Sequence, residues 1–319
     1  MNALEITGPL RVGTRRSLLA RTQSGQVADL IAKHLGVEVQ LVEVTTEGDT
    51  NPAPLASLGG AGVFVSALRE ALLRGEVDVA VHSLKDLPTG SAEGITLAAV
   101  PEREDPRDVL VARDGLTLGE LPAGSVVATG SPRRVAQLGA LGLGLEITGI
   151  RGNIDTRIGK VASGEVDGVI LARAGLSRID RLDEITEVID PIQMLPAPGQ
   201  GALAVECRSG DIELAAALRG QLEDPFTRAA VDAERAVLRT LEAGCSAPVG
   251  ALAEVAEGDD GPEVWVRAVV LSPDGAVDIR RSATGPLADA VQVGERLARG
   301  MLDEGAATLM DEPARRQQA

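Results

Sequence analysis

A chain of 319 residues, 44% of them hydrophobic, can bury more than one core and is too long for a single compact domain. Its formal charge of −16 excludes a protein held broadly on nucleic acid or anionic lipid, though not one that grips a small anion at a local basic site. Two cysteines, Cys207 and Cys245, are too few for a disulfide framework and fit a reducing compartment.

Aromatic residues are nearly absent, so the cores must be built from Val, Leu, Ile and Ala. Met1 to Arg16 holds no apolar run of signal-peptide length, and no stretch approaches a membrane span, which predicts a cytoplasmic chain. Leu10–Thr14 is expected to be a strand and Ser17–Leu35 a helix. Val37–Thr45 alternates Val39, Leu41 and Val44 in strand fashion, Val63–Arg74 has a helical pattern, and Val77–Ser83 is a buried strand. Alternating strands and helices predict an α/β fold with a largely parallel sheet.

The pattern then repeats. Gly75-Glu76-Val77-Asp78 opens one apolar strand and Gly164-Glu165-Val166-Asp167 another. Gly13-Thr14-Arg15-Arg16-Ser17 and Gly130-Ser131-Pro132-Arg133-Arg134 stand at matching strand-to-helix junctions. Two similar α/β lobes account for this. The charged, Pro-rich stretches Val100–Asp108 and Pro191–Gln200 are the expected crossovers between them, giving a hinge and a cleft as in periplasmic binding proteins. After Asp224-Pro225 a long helix to about Glu242 and strands such as Val264–Leu271 predict a third, smaller α+β domain.

Arginine at helix starts is the most informative chemical feature. Ser131 is a good N-cap and Pro132 a good first helical residue, which puts Arg133 and Arg134 in the first turn, where positive charge opposes the helix dipole. A bound anion would resolve that conflict. With no structural reason for the two arginines, Leu in their place is expected to leave the fold intact. Arg15 and Arg16 repeat the arrangement, and Arg151 and Arg157 bracket a third helix start at Gly152-Asn153. Such junctions lie at the carboxyl ends of strands, where α/β sheets bind ligands. Surface arginines paired with the abundant acids are the plain alternative for any one of them. Three together point to a ligand with several carboxylates.

Asp86 follows the strand Val77–Ser83 and could stabilise a cation, or be a simple turn acid before Pro88. Gly244 is the expected C-cap of the long helix, which leaves Cys245 on a loop as a possible nucleophile or attachment point, while Cys207 in an apolar run should be buried and inert. His34 and His82 are the only histidines, and no metal-ligand spacing occurs.

Seven segments, in order, resemble the porphobilinogen deaminase (hydroxymethylbilane synthase) family: GTRRSLLA (Gly13–Ala20), TTEGD (Thr45–Asp49), DVAVHSLKDLP (Asp78–Pro88), SPRR (Ser131–Arg134), RGNIDTR (Arg151–Arg157), LPAPGQGALAVECR (Leu195–Arg208) and EAGCSAPVGA (Glu242–Ala251). The resemblance implies three domains, residues 1–101 with 201–222, 107–196, and 225–319. It implies a dipyrromethane cofactor held by a thioether to Cys245, on which four porphobilinogen units are joined with loss of ammonia before hydrolysis releases hydroxymethylbilane. Asp86 would be the catalytic carboxylate. Lys85, Asp86, Thr129, Ser131, Arg133 and Arg134 would hold the cofactor, and Arg15, Ser17, Arg151, Arg157 and Gln200 the substrate. A cytoplasmic monomer without metal, nucleic acid or membrane is implied as well. Ala61, where many relatives have Lys, and Gly130, where Ser is usual, depart from the pattern. A non-catalytic binder of a small dicarboxylate is the alternative reading. A DNA-binding regulator with a similar effector domain fits neither the charge nor the N-terminus.

Overall fold

A computed structural model describes residues 8–44, 62–244 and 247–311 of the chain. The chain divides into two compact units, residues 1–104 with 202–228 and residues 105–201 with 229–319.

The first unit is built on a five-stranded sheet of order β2-β1-β3-β10-β4: β1 (Leu10–Thr14), β2 (Val39–Glu43), β3 (Val79–Ser83), β4 (Ile95–Ala99) and β10 (Leu203–Arg208). β1 runs parallel to β2 and β3, whereas β10 is antiparallel to β3 and β4. Helix α1 (Leu18–Leu35) buries Val27, Ala28 and Ile31 against this sheet. Its limits are set chemically. The Ser17 hydroxyl accepts the Ala20 N–H at 3.3 Å, and Gly36, at φ 68°, stops the helix in the left-handed region that glycine enters freely. Helix α2 (Gly62–Leu73) lies so close to β1 that a Cβ on Gly13 would sit 3.0 Å from Leu68 Cδ2. β2 is shorter than the expected Val37–Thr45, whose last residue lies outside the described residues.

The second unit repeats the design. Its sheet, of order β7-β6-β8-β5-β9, comprises β5 (Asp108–Ala112), β6 (Val126–Ala128), β7 (Glu146–Thr148), β8 (Gly168–Ala172) and β9 (Glu187–Val188). β6 is parallel to β7 and β8, and β5 is antiparallel to β8 and β9. The strand order and directions reproduce those of the first unit, so the two expected lobes are topologically alike. Helices α3 (Pro132–Ala140) and α4 (Ile154–Ala162) follow β6 and β7, and α5 (Arg173–Arg178) follows β8. The first unit contributes α6 (Ile212–Leu222) and the opening turn of α7 (Pro225–Thr240), capped by Asp224, which accepts the Thr227 N–H at 2.6 Å.

The C-terminal region forms its own antiparallel meander, β11 (Val249–Gly258), β12 (Gly261–Leu271) and β13 (Asp278–Pro286). Helices α7, α8 (Ala290–Asp303) and α9 (Ala306–Asp311) bury a core of Val237, Leu241, Val264, Val266, Val293 and Met301 against it. This region shares one compact unit with the second lobe. Ala136 and Leu195 pack with Leu252, Val269 and Leu271. The turn after β12 meets α3 so closely that a Cβ on Gly275, itself at φ 74°, would lie 2.0 Å from the Ala136 carbonyl oxygen. Among the described residues no helix is long and apolar enough to cross a membrane.

Candidate active site at the carboxyl edges of the sheets

In the first lobe β1 and β3 are parallel neighbours, so the residues that follow them flank one sheet edge. Arg15 and Ser17 follow β1. Lys85 and Asp86 follow β3 on a single 3-10 turn, Leu84–Asp86. Buried Leu84 and Leu87 pin that turn on both sides, the Leu84 N–H donates to the Ala202 carbonyl at 3.0 Å, and the Leu87 N–H donates to the Leu84 carbonyl at 3.1 Å. Asp86 itself is half-buried. Gln23 Nε2 donates to the Ser83 hydroxyl at 3.0 Å and ties α1 to the end of β3.

Beneath this edge lies a charged group that sequence reasoning did not single out. Arg69 of α2 clamps the buried Glu206 of β10 through bonds of 2.9 and 2.7 Å, and His82 Nε2 is 3.2 Å from the same carboxylate. Burial alone would push Glu206 up, but His82 and Arg69 outweigh it and hold the carboxyl at about 2.

The second lobe gathers the arginines. Arg133 and Arg134 do stand in the first turn of α3, with Pro132 as its first residue. Ser131, at the N-cap position, makes no side-chain cap; its N–H donates to Thr129 Oγ1 at 3.3 Å. The expectation that the two arginines lack a structural reason is overturned. Both are buried against Asp108, at 4% and 6% exposure. Arg134 Nη2 donates to Asp108 Oδ1 at 2.8 Å and its Nη1 to the Ile170 carbonyl at 2.8 Å. Arg133 Nη1 donates to the Leu195 carbonyl at 2.6 Å and lies 2.8 Å from Asp108 Oδ2. Gln200 Nε2 donates to Asp108 Oδ1 at 2.7 Å and to the Pro106 carbonyl at 2.6 Å. Burial alone would raise the Asp108 carboxyl, yet the two guanidinium groups hold it far below the usual carboxylate range. Burial pulls Arg133 down. Asp108, expected to end the crossover, is the first residue of β5 instead.

Two cations thus converge on one acid, and a third stands near them. Arg157 of α4 donates Nε to the Gly152 carbonyl at 2.9 Å; burial lowers it first, and the nearby charge of Arg134 lowers it further. Asn153 caps α4 by accepting the Thr156 N–H at 2.9 Å. Arg151 is exposed beside it. The Nε of buried Arg134 has no hydrogen-bond partner, and Asp108 Oδ2 receives no aligned hydrogen bond. A buried donor without a partner on a cationic edge is suited to an anion. A sequence signal for Asp108 does exist: an acid heading the otherwise apolar strand DVLVA needs a buried partner.

Cys245 lies outside the described residues. The chain enters its loop by a Schellman motif in which Glu242, at φ 53°, takes the left-handed position, not Gly244 as expected. The Ala243 N–H donates to the Leu238 carbonyl and the Glu242 N–H to that of Arg239. Ala61 is outside the described residues too. Gly130 has an observable reason, since a Cβ there would be 2.8 Å from the Ile150 carbonyl oxygen. Cys207 is fully buried, and burial pushes its thiol up to about 11, which fits an inert side chain. No metal-binding cluster occurs among the described residues.

Two family models match the chain: "Porphobilinogen deaminase, dipyromethane cofactor binding domain" over residues 10–216 and "Porphobilinogen deaminase, C-terminal domain" over residues 228–303. The chain is 58% identical over 314 residues to porphobilinogen deaminase 1 of Streptomyces coelicolor, covering 96% of this chain and 98% of that one. It is 56% identical over 306 residues to the porphobilinogen deaminase of Mycobacterium tuberculosis, covering 94% and 98%. Among solved structures it is similar to the periplasmic aliphatic sulphonate binding protein of Escherichia coli, at TM-score 0.40, 15% identity and coverage of 74% and 71%. It is also similar to a periplasmic domain of BvgS from Bordetella pertussis, at TM-score 0.42, 16% identity and coverage of 66% and 84%.

Proposed function

The chain belongs to the porphobilinogen deaminase family, and on that premise we propose that its arginine-rich edge binds pyrrole carboxylates and that Asp86 is its catalytic group. It is an enzyme of tetrapyrrole biosynthesis that deaminates and joins porphobilinogen units and forms hydroxymethylbilane, with a dipyrromethane cofactor. Family membership sets aside the non-catalytic binder. The single observation that carries the residue assignment is the buried arginine pair with its unpartnered Arg134 Nε.

The donor set fits the cofactor, because guanidinium groups match the acetate and propionate carboxylates of a dipyrromethane. The bound cofactor supplies the primer to which pyrroles are added, joined to Cys245 through a thioether. Arg133 and Arg134, with Lys85, Thr129 and Ser131, hold its side chains. Arg15, Ser17, Arg151, Arg157 and Gln200 orient the carboxylates of incoming porphobilinogen. Asp86 accepts pyrrole N–H hydrogen bonds and stabilises the positive charge that develops on pyrrole nitrogen as ammonia leaves. We read the chain as three domains, residues 1–101 with 201–222, 107–196 and 225–319. A cytoplasmic monomer that engages neither nucleic acid nor membrane fits its charge of −16.

Intact mass tests the assignment. The purified chain should outweigh its sequence by one dipyrromethane and colour with Ehrlich's reagent. Cys245→Ala should lose both properties, and Cys207→Ala should keep both. Excess mass that persists in Cys245→Ala overturns the attachment.

A further inference from the structure

The two lobes differ at one equivalent place. In the first, the antiparallel strand β10 opens with Leu203, paired with Ser83 at the end of β3. In the second, β5 opens with Asp108, paired with Ala172 at the end of β8. The antiparallel direction brings the first residue of each strand to the carboxyl edge, where the helix starts lie. Leu203 demonstrates that the sheet needs no carboxylate there. A charge at 0% exposure is costly to bury unless it is paired, and apolar replacements for such groups are often neutral or stabilising. Asp108 therefore calls for a reason beyond the fold.

We propose that Asp108 is a positioning residue of the carboxylate site, an internal counter-ion that fixes both guanidinium groups and leaves Arg134 Nε free for the ligand. This rests on the reading of Arg133 and Arg134 as carboxylate holders. The Asp108 backbone is held on both sides, by its pairing with Ala172 and by the Ile189 N–H, which donates to its carbonyl at 3.0 Å. Its side chain receives Arg134 and Gln200 on Oδ1 and stands against Arg133 through Oδ2. The Ile170 and Leu195 carbonyls take one further N–H from each arginine. Every one of these anchors is backbone or buried, so the guanidinium planes are set before the ligand arrives and little ordering is left to binding. One negative charge against two positive ones keeps the pair cationic while allowing it to be buried. The helix start of the first lobe is arranged differently. Arg16 and Arg21 there meet Glu43 at 3.7 and 3.6 Å, with all three side chains largely exposed.

A double-mutant cycle on the full-length chain tests the proposal, using Asp108→Asn, Arg134→Gln and the pair. Cofactor content is read with Ehrlich's reagent, and kcat and KM with porphobilinogen. Each single variant should lose roughly ten- to a hundredfold in kcat/KM, the size of one charge-assisted hydrogen bond, and the pair should lose little more than the worse single. Losses that multiply overturn the proposal. So does a folded Asp108→Asn with turnover within twofold of the parent beside a defective Arg134→Gln. Normal turnover in Arg134→Gln overturns the underlying reading instead. If Asp108→Asn does not fold, Asp108→Ala prepared in formate replaces it, assayed well below its Tm. Formate should then raise turnover saturably where chloride of equal ionic strength does not. An effect of formate on Tm alone, with turnover unchanged, overturns the proposal.

Discussion

Arg134 and Asp108 form a buried ion pair at 2.8 Å, and Arg133 closes on the same carboxylate at the same distance. Removing both cations strands a buried charge. Arg133→Leu/Arg134→Leu should therefore cost about 3–5 kcal/mol of stability, with a Tm lower by roughly ten degrees. Adding Asp108→Leu should recover much of that loss, since it leaves no unpaired charge. Thermal denaturation of the double and triple variants decides the matter. A double variant that melts with the parent would show that the pair contributes nothing to the fold.

This pair marks the boundary of what the sequence discloses. Local signals sufficed for α1, because Ser17, Gly36 and the stripe Val27–Ile31 carry its ends and its buried face. The first-turn position of Arg133 and Arg134 was legible from Ser131-Pro132 for the same reason. Their partner was not. Asp108 lies 26 residues from Arg134 in the chain and meets it only because β5 runs against β8. Arg69 and Glu206, 137 residues apart, were hidden in the same way. The C-cap before Cys245 was misplaced because glycine is the ordinary left-handed residue, whereas Glu242 takes that conformation here.

The Glu206 group sets a pH dependence. Its folded pKa of about 2 lies below the ordinary Glu value, so its contribution is full above about pH 4.5 and is lost as pH falls toward 2. The shift corresponds to a stability on the order of 3 kcal/mol for this buried carboxylate. Glu206→Gln should be less stable than the parent at neutral pH, and the gap should narrow as pH falls through that window. Denaturant unfolding at several pH values between 7 and 3 measures it. A gap that stays constant would show that Glu206 is not ionised in the folded chain.

Asp86 stands where a small change can be read as chemistry and not as folding. Its turn is fixed by buried Leu84 and Leu87 and by the Leu84 N–H bond to the Ala202 carbonyl, none of which uses its carboxylate. Loss of ammonia from porphobilinogen leaves positive charge on pyrrole nitrogen, and coupling to the growing chain creates a second cationic species. A fixed carboxylate stabilises both and accepts their N–H groups. Lys85, the adjacent ionisable residue, has the wrong charge for that task. Asp86→Asn keeps the size and one acceptor oxygen but removes the charge. It should melt with the parent and turn over on the order of 10²–10³ more slowly, the usual effect of removing one such electrostatic group. Asp86→Glu should retain more activity than Asn, because the charge survives with a longer reach. The comparison is made on protein whose mass confirms a full complement of cofactor, so that a failure of assembly is not read as a failure of catalysis. A loaded Asp86→Asn that turns over within a few-fold of the parent removes Asp86 from the mechanism and leaves the carboxylate-binding arginines untouched.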